Sequence, residues 1–181
     1  MSLTWLSVRY QVPANHIETT DGQLRHEAYP CPDTRDPRDD LAVALLRSVG
    51  QTGSICTYAG YERSVILGLA DALPHLRKDL LRLCARLWDL HPIIKAHYYH
   101  PAFAGSYSIK AVLPAVAPHL AYDDLEIQEG TMASVQFHRM AFGDIDSADK
   151  AKIRTSLLRY CARDTLAIVE LRRVLRLKAY S

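Results

Sequence analysis

No carboxylate precedes Glu18, and the chain is sparing in several other features that would mark a function. No run of about eighteen apolar residues exists, which excludes a membrane-spanning helix by sequence. The opening MSLTWLSVRYQ has no basic segment followed by an apolar core, so it does not read as a secretory signal. The four cysteines, Cys31, Cys56, Cys84 and Cys161, are widely scattered. That spacing excludes a disulfide scaffold and a zinc site and points to reduced thiols in a cytoplasmic protein. There is no glycine-rich phosphate loop, no Ser-His-Asp spacing, no internal repeat and no low-complexity tract. Net charge is +2, too small to imply nucleic-acid binding by itself.

What is present fits one domain spanning residues 1–181. With 181 residues, 49% of them hydrophobic, the chain can fill a single core and is not disordered. Arg9 to Glu18 and Gln23 to Tyr29 read as a β-hairpin around Thr20-Asp21-Gly22. Cys31 to Arg35 reads as a loop. Asp36 caps a helix with Pro37 in its first turn and Gly50 after its last. Ser54 to Tyr58 is a short buried strand, followed by a helix whose inner face is Glu62, Ile66, Leu69 and Leu73 and which stops at Pro74. His75 to Leu87 is a further amphipathic helix, Trp88-Asp89-Leu90 a final strand, and His91 to His100 a brief helix and loop. Ser108 caps Ile109 to Val116, Asp123 to Gly130 connects, and Thr131 to Phe142 is a short helix. A long helix fills Asp149 to Lys178. Strands first and helices later predict an α/β domain.

Two acids break these patterns. The apolar stripe of the last helix runs Ile153, Leu157, Cys161, Ile168, Leu171 and Leu175, and Asp164 falls on it. A carboxylate on a buried face is costly unless paired, hydrogen-bonded or bound to a metal. Tyr160 lies one turn before it, so both side chains can point the same way. A surface acid beside a packed tyrosine gives the same spacing. Glu62 opens a helix just past the C-terminal edge of a strand, the edge where ligands bind in open α/β sheets. An acid in a first helical turn also simply complements the macrodipole.

Together the two segments resemble a known constellation. Tyr58-Ala59-Gly60-Tyr61-Glu62 resembles motif II of the DEDD exonucleases, written Y-N-x-x-F-D or with Glu last. Ala59 departs from the usual Asn. Tyr160 to Asp164 matches their motif III in its tyrosine form, Y-x-x-x-D. The chain is similar, more closely, to a bacterial family of domains of unknown function within that superfamily. The shared segments are D-P-R (Asp36 to Arg38), G-S-I (Gly53 to Ile55), D-L (Asp89-Leu90), G-S-x-S-x-K-x-V-L-P (Gly105 to Pro114) and Y-C-x-x-D-T (Tyr160 to Thr165). The likeness spans about Gln11 to Leu175.

That resemblance implies a ribonuclease H-like fold, a mixed sheet flanked by helices. It also implies 3′-to-5′ exonuclease chemistry on single-stranded DNA or RNA ends. Motif I, D-x-E on the central first strand, lies upstream of the segment matching Arg9 to Val12. Only Met1 to Val8 precede that segment, and they hold no acid. The expectation is an N-terminally truncated domain whose sheet lacks its central strand. A misassigned start, a gene fragment and a degenerate member all fit. As a lesser alternative, Trp5 to Val12 slides into the vacant place and leaves an acid-free core. An uncovered sheet would call for flanking domains or self-association.

In the complete enzyme two divalent ions activate water and stabilise the leaving oxygen. Hard oxygen ligands suit Mg²⁺ or Mn²⁺. By resemblance Asp164 and Glu62 are the metal-ligating acids, and Tyr160, with an ordinary pKa near 10, orients water without acting as a base. Lys110, Tyr61 and Arg163 are the implied nucleic-acid contacts. Two acids do not hold two hard dications, so this chain is expected to bind metal weakly or not at all and to be inactive. The alternative is a non-catalytic module of the same fold that binds nucleic acid or a protein. His97 and His100, one turn apart, lack a third ligand. Asp89 is similar to a structural acid of the resembled family and not to one of its four metal ligands. Tyr98, Tyr99 and Tyr107 can stack on bases or pack in the core. Arg172, Arg173, Arg176 and Lys178 read as a solvated face.

Overall fold

The structure is a computed structural model that describes residues 3–9, 12–18, 23–29, 36 and 38–179. Strands β1 (Leu3–Arg9), β2 (Val12–Glu18), β3 (Leu24–Ala28), β4 (Ser54–Thr57) and β5 (Leu87–Asp89) form one sheet in the order β3-β2-β1-β4-β5. β1 and β2 pair antiparallel, as do β2 and β3, while β1, β4 and β5 run parallel. The mixed α/β architecture is as the sequence predicts. The expectation of a vacant centre is corrected, because Leu3–Arg9 lies between β2 and β4. Its residues, Leu-Thr-Trp-Leu-Ser-Val-Arg, include no acid. The predicted hairpin is present as β2 and β3; its turn, with the Cys31 to Arg35 loop and Pro37, lies outside the described residues.

Helices cover both faces, and the strand alternation assigns them. Ile55 packs with α1 (Arg38–Val49), α2 (Tyr61–Ala72) and α3 (Arg77–Cys84). Its neighbours Cys56 and Tyr58 pack instead with α4 (Leu90–His97), α5 (Ile109–Val116) and α7 (Ser147–Ala179). The same alternation holds in β2, where Asn15 donates to Ser48 of α1 at 2.6 Å and His16 meets Thr165 of α7 at 2.7 Å. α6 (Gly130–Phe142) lies against α7 and closes a further cluster around Leu113, Leu125, Leu157 and Cys161.

Local chemistry sets the boundaries. Asp36 accepts the Arg38 amide at 3.1 Å ahead of α1. Ser108 accepts the Ala111 amide at 3.3 Å as the N-cap of α5. Asp146 accepts the Asp149 amide at 2.7 Å and starts α7. The entry to β4 is held by one residue: Arg86 donates to the carbonyls of Gly53 (2.9 Å), Gly50 (2.5 Å), Val49 (3.2 Å) and Thr52 (2.5 Å). A planar guanidinium with five donors suits that ring of carbonyls, two of them at the end of α1. α3 is shorter than expected, Arg77–Cys84, and β5 begins one residue early at Leu87. Among the described residues no helix is long and apolar enough to cross a membrane.

Candidate functional site

β4 ends at Thr57, and the chain then turns through Tyr58, Ala59 and Gly60 into α2. Ala59 (φ 69°) and Gly60 (φ 67°) both adopt the left-handed conformation. Glycine accepts it without penalty, whereas alanine is strained by roughly 1–2 kcal/mol. The strain is held by Asp89 at the end of β5, whose Oδ1 accepts the amides of Ala59 and His91, each at 2.9 Å. Asp89 therefore caps α4 and clamps the turn, the structural role expected of it. Tyr58 donates its hydroxyl to the Tyr107 carbonyl at 2.5 Å and meets the His91 ring edge-on at 5.4 Å. Burial, then nearby Asp89, pushes the Tyr58 phenol well above its usual range.

Glu62 lies in the first turn of α2, only 2% exposed. Asp164 is 5% exposed and Tyr160 fully buried. Asp164 is thus a core carboxylate, and a solvated acid on the outside of α7 is excluded. The register of α7 shows where it sits. Thr165 meets His16, which pairs with Trp5, which pairs with Cys56. Arg172 meets Glu18 at 3.4 Å, which pairs with Leu3, which pairs with Ser54. α7 therefore descends the sheet against the direction of β4. Asp164 lies level with the second half of β4, and Tyr160 is one turn, about 5.4 Å, nearer its C-terminal edge. Glu62 approaches that same edge from the opposite helical layer.

Asp164 is embedded in a polar cluster. Tyr122 donates its hydroxyl to Asp164 Oδ1 at 2.7 Å, and its ring lies 5.9 Å from that of Tyr160. The Lys110 ammonium sits over both rings, 5.5 Å from the centroid of Tyr122 and 5.8 Å from that of Tyr160, and donates to the Gln128 carbonyl. Lys110 is therefore brought to Tyr160 and to the Tyr122–Asp164 pair, whereas the sequence reading grouped it with Tyr61 and Arg163. Tyr122 is the member that sequence reasoning missed, since Ala121-Tyr122-Asp123 offers no motif or period to single it out. Arg163 points elsewhere: it binds Asp124 in two-pronged fashion, at 2.9 and 2.8 Å, and the Ala121 carbonyl. It fastens the connector that carries Tyr122, and a nucleic-acid contact would have to displace Asp124. Tyr61 is 44% exposed at the start of α2.

Next to Asp164 in α7, Thr165 lies 3.2 Å from the Cys161 carbonyl one turn before it. With its hydroxyl proton there, His16 donates from Nδ1. Burial, and then His26 whose ring is 4.7 Å away, lowers the His16 pKa to about 4, so the ring is neutral. Burial pushes the Cys56 thiol up to about 12 and removes it as a nucleophile. Among the described residues no three His, Cys, Asp or Glu side chains are grouped to hold a metal. Glu62 and Asp164 alone supply too few oxygens for two hard dications, and the present donor set does not fit the metal pair that the sequence resemblance implies.

A mixed α/β sheet with helices on both faces and a buried carboxylate–tyrosine cluster at one strand edge defines the class of domain. Residues 4–108 match the model of a domain of unknown function (DUF2779), and the chain belongs to that family. The matched span includes Glu62 and Asp89 but stops short of Tyr122, Tyr160 and Asp164. No curated protein and no solved structure matches the chain.

Proposed function

We propose that the chain is a ribonuclease H-like domain of the tyrosine DEDD type, and that it engages single-stranded nucleic-acid ends without hydrolysing them. The observation that supports this reading is the placement of Glu62, Tyr160 and Asp164. They come from two helices on opposite faces of the sheet, and the strand register leads both to the C-terminal edge of β4. That edge is where α/β sheets present ligands. The acid-free central strand favours binding over turnover. In the frame implied by the resemblance that strand supplies half of the metal ligands, and here it supplies none.

Two measurements on the 181-residue chain test the reading. Titration with Mn²⁺ or Mg²⁺ is expected to show no binding tighter than millimolar. End-labelled single-stranded DNA and RNA are expected to be retained by the protein and to remain uncut in either metal. Metal-dependent trimming that disappears in Asp164→Ala would overturn the non-hydrolytic part. Failure to retain any oligonucleotide would overturn the nucleic-acid part.

A further inference from the structure

We propose that the segment from Tyr98 to Tyr107 is a stacking platform, taking an unpaired base of a single-stranded nucleic acid on the exposed ring of Tyr99. The inference rests on the nucleic-acid reading above and adds the place and the chemistry of contact.

The segment is built around Phe103, which is 1% exposed. Four rings surround it: Tyr98 at 5.8 Å, Tyr99 at 6.3 Å, His100 at 6.0 Å and Tyr107 at 5.8 Å between centroids. Three of these contacts are edge-on, which fixes each ring against the hub. The backbone is equally constrained. The Phe103 amide donates to the His100 carbonyl at 2.9 Å, that of Ala104 to Pro101 at 3.1 Å, and that of Ser106 to Phe103 at 2.8 Å. Within this scaffold Tyr98 and Tyr107 are half-buried, but Tyr99 is 62% exposed. Sequence alone left all three tyrosines divided between core and base stacking. The structure separates them: two pack, and one presents a large aromatic surface on a rigid support.

Charge points to the class of partner. From Leu90 to Tyr122 the chain has no Asp or Glu, although it holds 20 acids in all. The same stretch has Lys95, Lys110 and four of the eight histidines, His91, His97, His100 and His119. The Lys178 ammonium adds a further cation, 5.6 Å above the Tyr98 ring. An exposed aromatic ring on a segment without acids, with the Lys178 ammonium against it, suits a strand of bases on a phosphate backbone. The Tyr58–Tyr107 hydrogen bond of 2.5 Å ties the far end of the segment to the turn leading to Glu62, while the Tyr98 end lies against Lys178 near the end of α7. Base stacking is tolerant of sequence and sugar, so DNA and RNA both satisfy it.

The test uses fluorescence anisotropy with 5′-labelled twelve-nucleotide dT and U oligomers on the full chain. Tyr99→Ala is expected to weaken binding roughly 5- to 150-fold, and Tyr99→Phe to stay within about threefold, since the ring is retained. Oligomers carrying abasic positions are expected to lose the same factor on the native chain, and no more on Tyr99→Ala, because one contact is removed twice. Tyr99 is exposed, so both variants should fold; circular dichroism checks it. If the native chain binds and Tyr99→Ala binds equally well, the platform is wrong while the nucleic-acid reading stands. Equal binding of abasic and intact oligomers by the native chain also overturns it. If the native chain binds neither oligomer, both fall together.

Discussion

The two faces of the sheet bury polar groups to different extents. The face under α1, α2 and α3 is mainly aliphatic, with Leu45, Ile55, Ile66, Leu80 and Leu83 2% exposed or less, and its buried polar residues include Asn15, bonded to Ser48, and Glu62 at the head of α2. The face under α4, α5 and α7 buries Tyr58, Tyr122, Tyr160, His16, Thr165 and Asp164. An aliphatic cluster gains by filling space. A face that keeps a carboxylate, an imidazole and three phenols out of water must satisfy each of them.

Substitutions can break this comparison. The largest effect is expected in the aliphatic cluster: Leu80→Ala removes a fully buried side chain and should cost about 2–5 kcal/mol by denaturant unfolding. A loss below 1 kcal/mol would mean that this face is loosely packed. On the polar face Tyr122→Phe keeps the ring and removes the donor to Asp164; a cost of about 1–3 kcal/mol is expected for removing one partner of a buried hydrogen bond. Combined with Asp164→Asn, the two costs should fail to add, which a double-mutant cycle reads directly.

The third test is pH. The folded-state pKa of His16 is lowered from 6.5 to about 4, so its neutral form is the one that folding favours. The unfolded chain then takes up a proton first as pH falls. Stability contributed by His16 is full above about pH 6.5 and is lost between there and about 4. His26, also lowered by burial, acts in the same direction. Melting temperature should fall across that window, and His16→Gln, which keeps a donor for Thr165 but does not titrate, should flatten the slope. The smallest effect is at the turn. Ala59→Gly relieves a left-handed alanine, and its net gain, after the added freedom of the unfolded chain, should be about 0.5–1 kcal/mol. A loss would show that the alanine methyl contributes packing at that position.

The candidate site was partly legible. Asp164 could be read as anomalous because a helix repeats every 3.6 residues and the stripe around it is apolar. Asp89 was legible as structural only through its likeness to a structural acid of the resembled family. Tyr122 was not legible, because it reaches Asp164 from a connector forty-two positions away in the chain. The central strand was legible only as the lesser alternative, Trp5 to Val12 in the vacant place; the strand there is Leu3–Arg9, since backbone pairing needs no carboxylate and β1 pairs with β2 through seven consecutive positions.

By itself the sequence determined the helices, the caps at Asp36 and Ser108, the buried β4 strand and the absence of acids ahead of Glu18, because periodicity, capping and composition are local properties. Tertiary structure decided which strand lies at the centre, that Glu62 and Asp164 approach one sheet edge from opposite faces, and that Tyr99 alone of the clustered tyrosines is presented to solvent. Those outcomes depend on which distant surfaces meet, and no local pattern encodes that.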